Sequence, residues 1–134
     1  MYSFTHKLRI RYGETDQMGY CYYGNYAQFL EIGRVETLRE LGVSYKSLEN
    51  SGIMLPVAEL NIKYIKPSYY DDLISIKTTI IKTPSVKIEF EYEIYNEKGD
   101  LLTKAYTKLV FVAKENMKPC FCPDNLLQKF KDLV

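Results

Sequence analysis

The chain has 134 residues, 46% hydrophobic and 26% charged, with a formal net charge of +1 from 18 basic and 17 acidic side chains. This is the length of one domain, 1–134, with an ordinary globular composition and enough apolar residues for a core without metal or disulfide staples. The charge balance excludes a general nucleic-acid binder, which carries a strong basic excess, and no apolar run approaches the ~18 residues of a membrane span.

In chain order, SFTHKLRIRY alternates Phe4, His6, Leu8 and Ile10 with Thr5, Lys7, Arg9 and Arg11 and reads as a strand. A glycine-rich loop follows, and then NYAQFLEIGRVETLRELG has helical spacing. Tyr26, Phe29, Leu30, Gly33, Thr37, Leu38 and Leu41 share one face. Asn25 is a good N-cap, with Gln28 completing a box-like start, and Gly42 suits the stop. Gly33 costs about 1 kcal/mol relative to alanine in mid-helix, which points to close packing. SYKSLENSG reads as a short second helix ending at Gly52. MLPVAELNIKYIK, DLISIKTTIIK, VKIEFEYEIY and LLTKAYTKLVFVAK read as four long strands, the last two joined by an NEKGD hairpin turn. PDNLLQKFKDLV reads as a C-terminal helix capped at Asp124. The order predicts α+β, one long helix covering one sheet face. Glu89, Glu91 and Glu93 make the other face polar, and a half-covered sheet suits a dimer.

Three cysteines, Cys21, Cys120 and Cys122, are an odd count, and C-F-C is not a common zinc spacing. Reduced cysteines in a cytoplasmic protein are expected, and MYSFTHKLRI has no signal-peptide h-region. The single histidine, His6, lies in the first strand. A Ser-His-Asp, Cys-His or zinc site would have to use it, so the chemistry is expected on carboxylates, backbone dipoles and tyrosine.

The stretch RYGETDQMGYCYYGNY sets Asp16 in a loop of glycines and aromatics just before the helix. The first helical N–H groups lack partners and carry the positive end of the dipole, so they can hold a developing oxyanion. Gly19 and Gly24 let the backbone approach a ligand. A carboxylate facing such donors suits attack on an activated carbonyl, as general base or as nucleophile. The alternative is that Asp16 only organises the turn through an Asx hydrogen bond.

The segment RYGETDQMGYCYYGNYAQFLEIGR resembles the opening of hotdog-fold acyl-CoA thioesterases of the 4-hydroxybenzoyl-CoA thioesterase type, including the short-chain acyl-CoA branch. LPVAELNIKYIKPSYYDDLISI resembles the family's next strand pair. The resemblance implies a curled antiparallel sheet of about five strands around one long helix. It implies hydrolysis of an acyl-CoA to a carboxylic acid and free CoA, with no metal or other cofactor. Asp16 matches the catalytic aspartate. Tyr23 occupies the position whose backbone N–H polarises the thioester carbonyl. Many short-chain members have histidine there; this chain has tyrosine, as the 4-hydroxybenzoyl-CoA type does, which weakens a role for imidazole and leaves the backbone role intact. The family pairs its sheets, which implies a homodimer or homotetramer with the pocket at a subunit interface.

Gly24, Asn25, Glu31, Lys82 and Lys87 are the further substrate-binding candidates, with Lys114 and Lys118 as other cations for CoA phosphates. Each lysine also reads as a solvated side chain. Glu31 and Arg34, at i and i+3, can instead pair with each other. Glu14 either raises the pKa of Asp16 by proximity or is a solvated loop residue. Tyr20, Tyr22 and Tyr26 line an acyl pocket or pack, and Cys21 packs. The rival functions are a thioesterase acting on acyl carrier protein, a dehydratase of hydroxyacyl thioesters and a non-catalytic acyl-thioester binding module.

Overall fold

The computed structural model describes residues 1–131. Strand β1 (Tyr2–Arg9) alternates half-buried and exposed residues as its period-two pattern requires. A loop with two 3₁₀ turns leads into helix α1 (Tyr26–Glu40), then α2 (Tyr45–Asn50) and the two-residue strand β2 (Ile53–Met54). Four long strands follow: β3 (Val57–Tyr64), β4 (Leu73–Ile80), β5 (Lys87–Tyr95) and β6 (Leu101–Val110). The short strands β7 (Val112–Ala113) and β8 (Lys118–Pro119) precede helix α3 (Asp124–Lys131).

The main sheet has the order β1-β4-β5-β6-β3, with every neighbouring pair antiparallel. It packs its apolar face on α1 through Ile76, Ile80, Phe90, Tyr92 and Leu109 from the sheet and Phe29, Leu30 and Leu38 from the helix. The α+β architecture expected from the element order, with the five-stranded antiparallel sheet and long helix of the hotdog fold that the resemblance implies, is the one observed.

Gly33 explains how closely the two layers meet. A β-carbon there would lie 2.6 Å from Thr78 Oγ1 and 2.8 Å from Ile76 Cγ2. The helix stops at Gly42, whose φ of +85° suits glycine. The Gly42 N–H donates to the Arg39 carbonyl and the Val43 N–H to the Leu38 carbonyl, both at 2.9 Å, closing a Schellman motif.

Four expectations are corrected. Asn25 does not cap the helix with its side chain: its backbone is already helical, and its amide donates elsewhere. Glu31 and Arg34 do not pair. Arg34 shares the buried face with Leu30 and Leu38, and its Nε donates to the Tyr45 hydroxyl at 3.0 Å, while Glu31 faces solvent. The single return strand read from Leu101 to Lys114 breaks at Phe111, whose N–H donates to the Val86 carbonyl at 2.9 Å. Beyond that break, β7 joins β2 and β8 in a second small sheet. Finally, Glu89 is buried rather than solvated, held between Lys87 Nζ at 3.1 Å and Lys82 Nζ at 3.4 Å. The last three residues of the expected C-terminal helix, 132–134, lie outside the described residues.

Edge strand β3 departs most from an ordinary half-buried strand. Only Ile62 is partly buried; the other seven residues are exposed. Leu60 and Tyr64 point to the same face as the buried Thr107 and Thr103 opposite them, yet each remains 46% exposed.

Candidate active site

The loop from Arg11 to Asn25 is built from main-chain bonds. Glu14 closes the first 3₁₀ turn (Tyr12–Glu14): its Oε1 accepts from the Arg11 N–H at 2.7 Å, and its Oε2 meets Arg11 Nη2 at 3.3 Å. Its side chain is only 12% exposed, so Glu14 is a structural member of the loop rather than a solvated one. Thr15 and Cys21 form a bridge, and the five residues between them turn back on themselves. In that turn the Asp16 N–H donates to the Tyr20 carbonyl and the Gly19 N–H to the Asp16 carbonyl, each at 3.0 Å. Gly19 has φ +89°. Asp16 Oδ1 accepts from the Met18 N–H at 2.8 Å, the Asx bond of the alternative reading, in which Asp16 organises the turn. That bond fixes one carboxylate oxygen, and Oδ2 makes no hydrogen bond among the described residues.

The start of the helix is anchored to the same loop. The Glu14 carbonyl accepts twice, from the Tyr22 N–H and from Asn25 Nδ2, both at 2.8 Å. Between these anchors, Tyr23–Asn25 forms a second 3₁₀ turn running directly into α1. The Tyr23 carbonyl accepts from the Tyr26 N–H within the turn and from the Tyr64 hydroxyl at 3.0 Å. The Tyr23 N–H opens the turn and, as a first-turn group, has no partner within it.

These pieces meet at a cavity of about 270 Å³. Asp16, Met18, Tyr20, Cys21, Tyr23 and Tyr26 line it from the loop and helix, and Tyr64, Ile65, Lys66 and Pro67 from the end of β3. The wall is largely apolar and aromatic: the Tyr64 ring lies edge-on to Tyr26 at 5.2 Å and to Tyr23 at 6.1 Å. The buried Tyr26 hydroxyl shares a hydrogen bond of 2.8 Å with Ser68 Oγ. Burial raises the Tyr26 phenol above its ordinary pKa, so it stays neutral and polar. Burial likewise raises the Cys21 thiol, which removes it as a thiolate nucleophile near neutral pH.

Of the expected site residues, Asp16 and Tyr23 come together on this cavity, joined by Tyr20 and Tyr26. Tyr22 does not line it; its ring packs on Tyr23 at 4.9 Å. Gly24 lies under the Tyr22 ring, where a β-carbon would come within 2.5 Å of Tyr22 Cε2. Asn25 supports the site from behind through Glu14. Glu31 lies on the exposed side of α1 and does not line the cavity. Lys82 and Lys87 are paired to Glu89, and neither lines the cavity; the lysine that does is Lys66. Lys66 and Tyr64 were missed because they enter from a strand some 40 residues away. The signal available was the exposed apolar run of an edge strand ending at K-P.

A five-stranded antiparallel sheet packed on one long helix, with an aspartate and the first turn of that helix lining one aromatic cavity, is the arrangement of the hotdog fold. The chain belongs to the thioesterase superfamily, whose family model matches residues 18–103. It is 38% identical over 113 residues to the Bacillus subtilis protein described as a putative acyl-CoA thioesterase YneP, covering 84% of this chain and 82% of that one. It is 30% identical over 131 residues to the acyl-CoA thioesterase YbgC of Haemophilus influenzae, covering 97% and 96%. Among solved structures, the DHNA-CoA thioesterase of Staphylococcus aureus superposes with a TM-score of 0.94 at 33% identity, over 99% of this chain and 91% of that one.

Proposed function

We propose that this chain, read as one domain, hydrolyses an acyl-CoA thioester to a carboxylic acid and free CoA, with Asp16 as the reacting carboxylate. The observation that carries the reading is that Asp16 and the first turn of the helix line one apolar cavity. In the general-base course, a water gives its proton to Asp16 Oδ2 as its oxygen adds to the thioester carbonyl. The carbonyl oxygen gains the negative charge and accepts a hydrogen bond from the Tyr23 N–H. Collapse of that intermediate breaks the C–S bond, and Asp16 returns the proton to the leaving thiolate. In the nucleophilic course, the carboxylate adds directly, the C–S bond breaks to expel the CoA thiolate, and water then opens the mixed anhydride, giving the thiolate one proton and leaving the free acid and the Asp16 carboxylate. Both courses use the same residues and need no metal or redox group. The relatives named as acyl-CoA thioesterases support CoA as the carrier.

The enzyme acts in the cytoplasm as a homo-oligomer, dimer or tetramer; no helix of the described residues is long and apolar enough to cross a membrane. The test is thiol release from a panel of aliphatic and aromatic acyl-CoAs and from acyl carrier protein thioesters. Turnover of CoA esters is expected. Turnover of carrier-protein esters alone would move the substrate class, and no turnover with retained ligand binding would leave a binding module.

A further inference from the structure

Tyrosines and a cysteine make up much of the wall of the Asp16 cavity. Such a wall would offer donors to a polar acyl group, but its protons are already placed inside the protein. The Tyr64 hydroxyl donates to the Tyr23 carbonyl at 3.0 Å. The Tyr20 hydroxyl donates to Met18 Sδ at 3.3 Å. The buried Tyr26 hydroxyl and Ser68 Oγ share a bond of 2.8 Å, and the phenol, the more acidic of the two, is its donor. The Cys21 thiol donates to the Tyr22 carbonyl at 3.7 Å. The Tyr23 phenol, on an exposed ring, interacts with that of Tyr22. A charged acyl group fares no better. Asp16 repels a carboxylate at close range. Lys66 holds its ammonium 4.0 Å from Asp100 Oδ2 on a side chain 58% exposed, so its stem lines the wall while its charge stays in water.

We propose that the acyl group this cavity takes is a hydrocarbon, chain or ring, of about six to ten carbons that carries no hydroxyl and no charge. Its size follows from volume: an apolar cavity of about 150 Å³ holds benzene, and this one has about 270 Å³. Its chemistry follows from the placed protons. A hydroxyl carried into the cavity gives up its water and finds no free donor for its oxygen, and burying an unpaired polar group is costly. Hydrocarbon meets the aromatic faces and the Met18 thioether without that loss. The tyrosine hydroxyls serve the protein instead: Tyr64 holds the turn that opens the helix, and Tyr26 ties α1 to Ser68. The acyl class rests on the thioester-hydrolase reading, in which Asp16 and the helix turn mark the thioester end of the cavity.

The test uses two esters that differ by one hydroxyl insulated from the thioester: phenylpropanoyl-CoA and its counterpart hydroxylated on the ring, para to the chain. Binding is measured by calorimetry on Asp16→Asn, to slow loss of the ester, and kcat/KM on the wild type. The plain ester is expected to bind about tenfold more tightly and to turn over faster by a similar factor, within the roughly 10²-fold that an apolar pocket achieves against an added hydroxyl. Freed donors should narrow the gap. Met18→Leu removes the acceptor of the Tyr20 hydroxyl, and Ser68→Ala that of Tyr26. Each, added to Asp16→Asn, is expected to bring the ratio severalfold closer to one by improving the hydroxylated ester. Met18 is 66% exposed, so its substitution decides the point where the buried Ser68→Ala change prevents folding. Equal or tighter binding of the hydroxylated ester would overturn the proposal. So would a tenfold ratio that neither variant reduces, or a protein that binds neither ester. Binding in the expected ratio without thiol release by the wild type counts against the hydrolase, not against the acyl class.

Discussion

The side-chain amide of Asn25 donates to the main-chain carbonyl of Glu14 at 2.8 Å, fastening the first turn of the helix to the loop that carries Asp16. The same carbonyl holds the Tyr22 N–H. The loop that carries Asp16 and the first turn of the helix are therefore tied together by two hydrogen bonds to one carbonyl, although Asp16 and Asn25 lie nine positions apart. Asn25→Ala removes one of the two bonds and is expected to cost about 1 kcal/mol of stability. Because the residue makes no cavity contact, kcat should fall more than KM rises. Chemical denaturation and steady-state kinetics on the same preparation check both parts.

Tyr64 acts on the turn from the opposite side. Its hydroxyl donates to the Tyr23 carbonyl at 3.0 Å while its ring forms part of the cavity wall. Tyr64→Phe keeps the ring and deletes the bond. The expected result is a loss of about fivefold in kcat, equivalent to one hydrogen bond of ~1 kcal/mol, with KM nearly unchanged. Tyr64→Leu should raise KM as well, because the aromatic wall is lost. Equal effects of the two substitutions on both constants would show that the hydroxyl has no positioning role.

Gly33 tests the closeness of helix and sheet. Alanine is the better helix former by about 1 kcal/mol, yet its β-carbon would meet Ile76 Cγ2 and Thr78 Oγ1 at separations that atoms do not tolerate. Overpacking typically costs about 1–3 kcal/mol, and the β-branched Ile76 is stiff. Gly33→Ala should therefore lower the melting temperature, and Ile76→Val should recover part of the loss in that background. A melting temperature raised by Gly33→Ala would show that the layers separate freely.

Much of this architecture is legible in residue order, and the reasons are local. Alternation in β1 and β5, the Gly42 stop and the helical face of α1 each reflect one period or one turn. Asp16 is legible as a candidate because a carboxylate stands beside the helix start in the chain. What was not legible depends on distance. Tyr64 and Lys66 reach the cavity across the fold, Asn25 trades its cap for a carbonyl eleven residues back, and Arg34 prefers a buried phenol to its helical neighbour Glu31. The strands β2, β7 and β8, with two residues each, are too short to show any period.

Glu89 gives the pH dependence of stability a particular source. Burial alone would raise its pKa, but Lys87 and Lys82 outweigh burial and hold it below the ordinary carboxylate value. A carboxylate whose folded pKa is depressed stabilises the fold above its unfolded pKa and loses that contribution as pH falls through the folded value. Glu89→Gln should thus melt earlier than the wild type at neutral pH, with the gap closing in acid below the ordinary carboxylate range. Thermal melts across that pH series check the sign; a gap that widens in acid would contradict it.

The measurement that bears most directly on the central claim is single-turnover thiol release by wild type and Asp16→Asn on the best acyl-CoA of the panel, with substrate affinity measured on both. Asparagine preserves the size of the side chain and the acceptor for the Met18 N–H while removing the proton acceptor. The expected result is a rate lower by roughly 10²–10⁴-fold, the usual contribution of a positioned base, in a folded variant that still binds the ester. Equal release by the two proteins would contradict the assignment of the chemistry to Asp16.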